Sequence, residues 1–346
     1  MTVTLEPLSS ANAEAWDAFV DSCPRATFFH KAGWARLVSD VYGHRPHYWL
    51  ARRGGAIAGV LPLVNMRTWL SGNALVSVPF CVYGGIAATD GETHAALARK
   101  AESLGREIGA EFVELRHRSE SEPLPDGWRT KADRYATFRK SISADHDANL
   151  KAIPRKKRAD VRKGLTSGLT VDNSGDIDSF YRIYADSVHR LGTPVFPQRW
   201  FRAIARTFAG STDISVVHGP NGPVAALISF YFRDEVLPYY GGALDAAREL
   251  HAYDHMYWAQ MCRAADRGAR IYDFGRSKIG TGAYDYKSYW GFEPAPLTYG
   301  FRLIKRAELP DINPLNPKYA RMVEIWKRLP LSVANLVGPH LARHLG

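Results

Sequence analysis

One pattern occurs twice in this chain. Residues 47–52 and 56–64 run apolar or alternating around Arg53-Gly54-Gly55, which reads as a β-hairpin. Residues 214–218 and 224–232 flank Gly219-Pro220-Asn221-Gly222 and read as a second one. Each hairpin is followed by an apolar strand ending in an aromatic and two glycines, Val82-Tyr83-Gly84-Gly85 and Tyr239-Tyr240-Gly241-Gly242. A helical stripe comes next: Leu97, Ala101, Leu104 and Ile108 in one half, Leu250, Tyr257 and Met261 in the other. Gly109 and Gly268 then stand where a helix C-cap belongs, and short strands follow at 111–116 and 270–276. A single hairpin, strand, helix, strand order is common among α+β proteins. Two copies in the same order, each with aromatic-Gly-Gly, point to a duplication.

The 346 residues are enough for two such domains. Residues 135–142 read as a strand closing the first half. Residues 147–164 read as a basic helix, with Pro154 tolerated at a first turn. This gives domains at 1–145 and 146–305, the second holding the segment 272–293, and a tail at 306–346. The tail is proline-rich at Pro310, Pro314 and Pro317, then helical around 319–329 up to Pro330.

Segment 272–293 is the richest in chemistry. It begins as a strand, enters a glycine loop and ends in an aromatic turn holding one lysine. Asp273 and Arg276 fall at a strand's C-terminal end, where α/β sheets bind ligands. Lys287 lies among Tyr284, Tyr286, Tyr289 and Trp290. A cation in such surroundings is poorly hydrated and suited to stabilising an oxyanion or phosphate. A lysine snorkelling at an aromatic core edge is the alternative. Gly280 and Gly282 can present backbone N–H groups to an anion. The run Arg276-x-x-x-Gly280-x-Gly282 is one residue longer than the acetyl-coenzyme A loop of N-acetyltransferases, Arg/Gln-x-x-Gly-x-Gly/Ala.

The net charge is +10, and residues 151–163 carry seven basic side chains against Asp160 alone. Arg155, Lys156, Lys157 and Arg158 form the densest part. They suit phosphate contact, or a solvated helix face. No aromatic residue interrupts the run, so base stacking is not indicated. Three scattered cysteines exclude a disulfide framework and a Cys-x-x-Cys site, and a reducing, cytoplasmic compartment is expected. His251 and His255 lack the glutamate of a His-Glu-x-x-His zinc site, and no metal is expected. Neither a Gly-x-Ser-x-Gly elbow nor a P-loop occurs. No apolar run is long enough to span a bilayer, and residues 1–10 do not read as a secretory signal.

Several segments together resemble the FemAB family of aminoacyl-tRNA-dependent transferases, built from two GNAT-like (N-acetyltransferase-like) domains. The resemblance is strongest over 154–303. Arg155-Lys-Lys-Arg158 to Gly168-Leu169 resembles the family's basic helix, and Asp254-His-Met-Tyr-Trp258 to Gly268 its long helix. Asp273-Phe-Gly-Arg276 resembles the next strand. Gly282-Ala-Tyr-Asp-Tyr-Lys287-Ser-Tyr-Trp-Gly291 matches the spacing of the family's Gly-Leu-Tyr-x-Phe-Lys-x-x-Phe-Gly. Phe80-Cys-Val-Tyr-Gly-Gly85, Ala152-Ile-Pro-Arg-Lys156 and Trp326-Lys-Arg-Leu-Pro-Leu331 to Gly338-Pro339 resemble a subgroup associated with PEP-CTERM/exosortase and exopolysaccharide loci.

The resemblance implies an α+β fold of two tandem GNAT-like domains, each a mixed central sheet flanked by helices. It implies acyl transfer to an amine of a cell-envelope or exopolysaccharide precursor, with no tightly bound cofactor. The donor is aminoacyl-tRNA or acyl-CoA, the tRNA reaching the basic 151–163 segment. Lys287 takes the position of the motif lysine, linked to transition-state stabilisation. Asp273 or Asp285 is the candidate proton acceptor. Arg276 and Arg116 are candidate anion forks, and Tyr83, Tyr240, Tyr284 and Tyr286 candidate cleft residues. The family's coiled-coil arm has no counterpart here. The tail is expected to pack on the first domain. Alternatively, residues 313–346, with Trp326, Leu329, Leu331 and Leu336 and five Lys or Arg against one Glu, meet the inner membrane peripherally. A catalytically silent envelope scaffold is the competing reading from outside enzymology.

Overall fold

The computed structural model describes residues 2–69, 72–118, 123–309 and 317–345. The chain divides into two compact units, Met1–Tyr135 with Pro296–Ile312 and Arg343–Gly346, and Ala136–Ala295 with Asn313–Ala342.

Among the described residues the first unit has an eight-stranded sheet. Its main path runs Val3–Pro7, Arg45–Arg53, Ala56–Thr68, Gly72–Ser77, Phe112–Arg116, Tyr299–Leu303, Arg129–Lys131. The first hairpin forms as expected, with Arg53 opposite Ala56. Gly54 and Gly55 both take positive φ (58° and 85°), the requirement of a tight turn matching strand twist. Gly72–Ser77 runs parallel to Phe112–Arg116, pairing Ala74–Phe112, Leu75–Val113 and Val76–Glu114. The helix Gly91–Glu107 connects them and buries Leu97, Ala101 and Leu104. Asp90 caps its start by accepting from Thr93 N–H.

The second unit repeats this order. Among the described residues its seven strands run Pro294–Pro296, Tyr135–Ser141, Ile271–Lys278, Glu235–Ala243, Gly222–Phe232, Thr212–Gly219, Thr170–Asp172. The hairpin again precedes a strand, a helix (Ala252–Asp266) and a parallel strand. Each unit is thus a mixed sheet flanked by helices, as expected for this α+β class.

Several details differ from the sequence reading. Tyr83-Gly84-Gly85 is not in a strand; it belongs to a buried loop after Ser77. The Pro154 region is two helices, His146–Ala152 and Arg155–Leu165, because proline cannot continue the first. The aromatic turn is a helix, Gly282–Tyr289. Residues 136–145 belong to the second unit and 296–305 to the first, because the strands at 135–141 and 299–303 join those sheets.

The tail forms Pro317–Lys327 and Leu331–Ala342. Both helices lie against Ile177–Arg190 of the second unit, not the first as expected; the two ends of the tail, up to Ile312 and from Arg343, group with the first unit. Buried Trp326 and Ala334 hold the two helices, and His189 Nε2 lies 3.1 Å from the Trp326 carbonyl. Pro310 and Pro314 lie outside the described residues.

Candidate functional site

The candidate site is assembled in the second unit around the strand Ile271–Lys278. That strand pairs in parallel with Glu235–Ala243 at only two registers, Glu235–Ile271 and Val236–Tyr272. Beyond them the chain turns through the glycine loop into Gly282–Tyr289, anchored by the fully buried Trp290. Trp290 packs against Phe274 and Tyr257, with ring centroids 5.9 and 6.3 Å away. An indole of about 200 Å² contributes roughly 5 kcal/mol of apolar burial, so the helix has a firm C-terminal anchor.

This anchor turns Lys287 back onto its own strand. Its Nζ donates to the carbonyls of Gly275 and Arg276, both at 3.1 Å. It also stands 5.7 Å from the Phe138 ring centroid. Burial pushes the ammonium's pKa down to about 7; the charge of Asp273 opposes this and that of Arg276 adds to it. An ammonium has three N–H bonds, and the two carbonyls take two. The third is left over by these two bonds.

Asp273 is fully buried. Its Oδ1 accepts from Gly275 N–H at 2.7 Å and from the Thr137 hydroxyl at 3.3 Å, and its Oδ2 lies 3.2 Å from Arg139 Nε. Arg139 is also paired with Glu235. A carboxylate so enclosed holds the strand and the local charge in place and is poorly placed to meet a substrate proton. Asp285 is exposed in the first turn of the lysine helix. Arg276 is partly exposed on the strand. Cβ atoms built on Gly280 and Gly282 would meet open space.

Tyr284 packs edge-on against Phe138 at 5.1 Å. Tyr286 turns the other way and donates to Asp254 Oδ1 at 2.7 Å, while burial holds its phenol well above its ordinary pKa. The same oxygen accepts from Lys157 Nζ at 2.9 Å, and that ammonium lies 4.7 Å over the Tyr286 ring. Lys157 is therefore an internal ion-pair partner and not part of an exposed basic surface, a correction to its expected nucleic-acid role. Arg155 and Lys156 are exposed, and Arg158 donates to the Ile153 carbonyl at 3.1 Å. Arg155, Arg158, Ala159 and Arg162 line a groove of about 420 Å³.

Three sequence candidates are enclosed. Tyr240 is buried, accepts from Trp200 Nε1 at 3.1 Å and packs against Phe201 at 5.1 Å. Tyr83 is buried against Phe29 in the first unit. Arg116, buried there too, donates to Glu114 at 2.6 Å and to the Cys81 carbonyl at 3.1 Å. Their rings and charges serve packing. The reading of the sequence did not single out as site residues Thr137, Arg139 and Glu235, which enclose Asp273, or Phe138 and Asp254, which meet Lys287 and Tyr286. The strands Tyr135–Ser141 and Glu235–Ala243 and the helix Ala252–Asp266, distant in sequence, bring them there. Among the described residues no group of three or more His, Cys, Asp or Glu is gathered for a metal ion.

Residues 151–288 match the family model described as an acetyltransferase (GNAT) domain. No curated protein matches the chain. Among solved structures, FemX superposes with a TM-score of 0.68 at 16% identity, over 87% of this chain and 98% of that one. A tandem GNAT protein from the clavulanic acid biosynthesis pathway gives 0.55 at 13% identity, over 89% and 100%. L-PGS from Bacillus licheniformis gives 0.52 at 11% identity, over 91% and 95%. With the two mixed sheets described above, these likenesses show a tandem GNAT-like α+β fold, whose second unit carries the matched acetyltransferase domain.

Proposed function

We propose that the protein is an N-acyltransferase that moves an aminoacyl or acyl group onto an amine of a cell-envelope or exopolysaccharide precursor. The observation that carries this reading is Lys287, a desolvated ammonium held by two backbone carbonyls within the GNAT-matched segment. The acceptor's amine nitrogen attacks the acyl carbonyl and forms a C–N bond. The carbonyl oxygen becomes an oxyanion, and the third N–H of Lys287 meets it. As the intermediate collapses the carbonyl re-forms, and the C–O bond of an ester donor or the C–S bond of a thioester breaks. The departing oxygen or sulfur keeps the electron pair and leaves as the alcohol after taking a proton from solvent, or as the thiol or thiolate. The attacking nitrogen's proton leaves to solvent or to Asp285 at the exposed turn. A fixed donor in a dry site lowers such a barrier by about 3–4 kcal/mol. Asp273 serves as a positioning residue, fixing Gly275, whose carbonyl anchors the lysine.

The exposed Arg155 and Arg162 at the 420 Å³ groove support phosphate contact, as an aminoacyl-tRNA donor requires. The match to an acetyltransferase domain favours a second reading, an acyl-CoA donor acting on an amino sugar. Mass spectrometry of ligands co-purifying with the protein separates the two. With the donor in hand, Lys287→Met lowers turnover about a hundred-fold or more. The wild-type rate falls as pH rises through about 7, where the ammonium is lost. Full activity of Lys287→Met rejects the assignment.

A further inference from the structure

The C-terminal helices dock inside out. Leu331–Ala342 buries Ala334, Gly338 and Ala342, spaced i, i+4, i+8. The contact is close: a Cβ on Gly338 would stand 3.1 Å from Val195 N. The bulky residues Val333, Leu336 and Val337, spaced i, i+3, i+4, are exposed, Leu336 at 73 %. An ordinary surface helix does the reverse, hiding its large apolar stripe and showing its small or polar one. Pro317–Lys327 adds to the same feature. It buries Trp326 toward Ile177–Arg190 and exposes Met322 and Ile325. Trp326, the residue best suited by composition to a membrane, is thus a docking residue, and the face that remains open is a different one.

Charge says what covers this face. Residues 317–345 contain Lys318, Arg321, Lys327, Arg328 and Arg343 against Glu324 alone. Arg321, Lys327 and Arg328 are exposed on the same two-helix segment, Lys327 standing 3.9 Å from the Glu324 carboxylate. Two copies pressed together through this face would oppose like charges, whereas a surface of anionic headgroups would neutralise them while accepting the apolar side chains. We propose that the exposed face of these two helices docks the protein onto bilayers carrying anionic lipids. The proposal is independent of the acyl-transfer chemistry.

The test is co-sedimentation of the full chain with large vesicles of phosphatidylglycerol and phosphatidylcholine in equal parts, and with phosphatidylcholine alone. The wild type partitions to the anionic vesicles and at most weakly to the neutral ones. Leu336→Asp weakens that partition by roughly ten-fold or more. Lys327→Gln and Arg328→Gln each weaken it by about five-fold. None of the three shifts the thermal midpoint appreciably, since these side chains are exposed. A wild type that stays in the supernatant with both vesicles overturns the proposal. So does a Leu336→Asp variant that partitions unchanged. A concentration-dependent dimer that Leu336→Asp abolishes, without vesicle binding, assigns the face to a second copy instead.

Discussion

The two units share a frame and differ in what fills it. In both, an antiparallel hairpin leads through a third strand and a helix to a parallel strand. In the first unit the chain after the third strand folds into a buried loop, with Val78 and Phe80 at positive φ (41° and 68°). Gly84 and Gly85 N–H both donate to the Arg116 carbonyl, at 3.0 and 2.9 Å, and His30 Nε2 lies 2.8 Å from the Gly85 carbonyl. In the second unit, Lys287 returns from a following helix to the carbonyls of the parallel strand. One copy spends its polar groups on itself, with Arg116 and His117 turned inward. The other turns a buried ammonium onto two backbone carbonyls, and in the function proposed above its third N–H meets the acyl oxygen. A duplicated scaffold can thus separate packing from chemistry.

The contrast is most open to attack through pH. Burial, with the charges of His94 and His30, pushes His117 down to about 3. Its stabilising contribution is complete above the unfolded value of 6.5 and is lost as pH falls from there toward 3, on the order of 5 kcal/mol over the whole window. Lys287 works in another window. Its buried ammonium costs stability below about pH 7, and the cost is relieved as pH rises toward 10.5. Lys287→Met therefore raises stability near neutrality, and the gain fades in alkali. Urea melts from pH 4 to 10 on wild type, Lys287→Met and His117→Gln resolve the two windows. A flat difference curve for either variant breaks that half of the comparison.

Next in size is the ion pair beneath the lysine helix. Lys157→Met leaves Asp254 buried with only the Tyr286 hydroxyl as partner. The expected loss is about 3–5 kcal/mol by urea denaturation. Adding Asp254→Asn recovers most of it. If Lys157→Met alone is as stable as wild type, the internal role of Lys157 fails.

The smallest effects separate the glycines. A Cβ on Gly85 would lie 2.4 Å from His117 Nδ1, and one on Gly242 would lie 2.9 Å from Tyr184 Cα. Each alanine there costs about 1–3 kcal/mol. Gly282, with open space around it at the first turn of its helix, accepts alanine within about 0.5 kcal/mol. Equal losses at all three positions in thermal melts would erase the distinction between packing glycines and the glycine loop.

What was legible in the sequence follows from this. Both hairpins were readable because turn glycines and strand alternation are local signals, and Gly109 and Gly268 marked helix ends for the same reason. The lysine helix was read as a turn because Tyr284, Tyr286 and Tyr289 fall on no single apolar face, and none of its residues is fully buried. Lys157 looked like its neighbours in the basic run; its partner stands 97 residues further on. Tyr83, Tyr240 and Arg116 occupy matching or strand-end places, but other elements decide whether such places are open or filled. The tail misled because, Trp326 apart, the side chains it buries (Ala334, Gly338 and Ala342) are small, and small residues carry little periodic signal.

The exchange of strands carries a further consequence. Tyr299–Leu303 lies between Phe112–Arg116 and Arg129–Lys131, so the N-terminal sheet lacks an interior strand until residue 303 has been synthesised. On the ribosome, the first half must wait, incomplete, while nearly the whole second half emerges. Nascent copies stalled before that point would expose two unpaired edges, the state in which a chaperone is needed most.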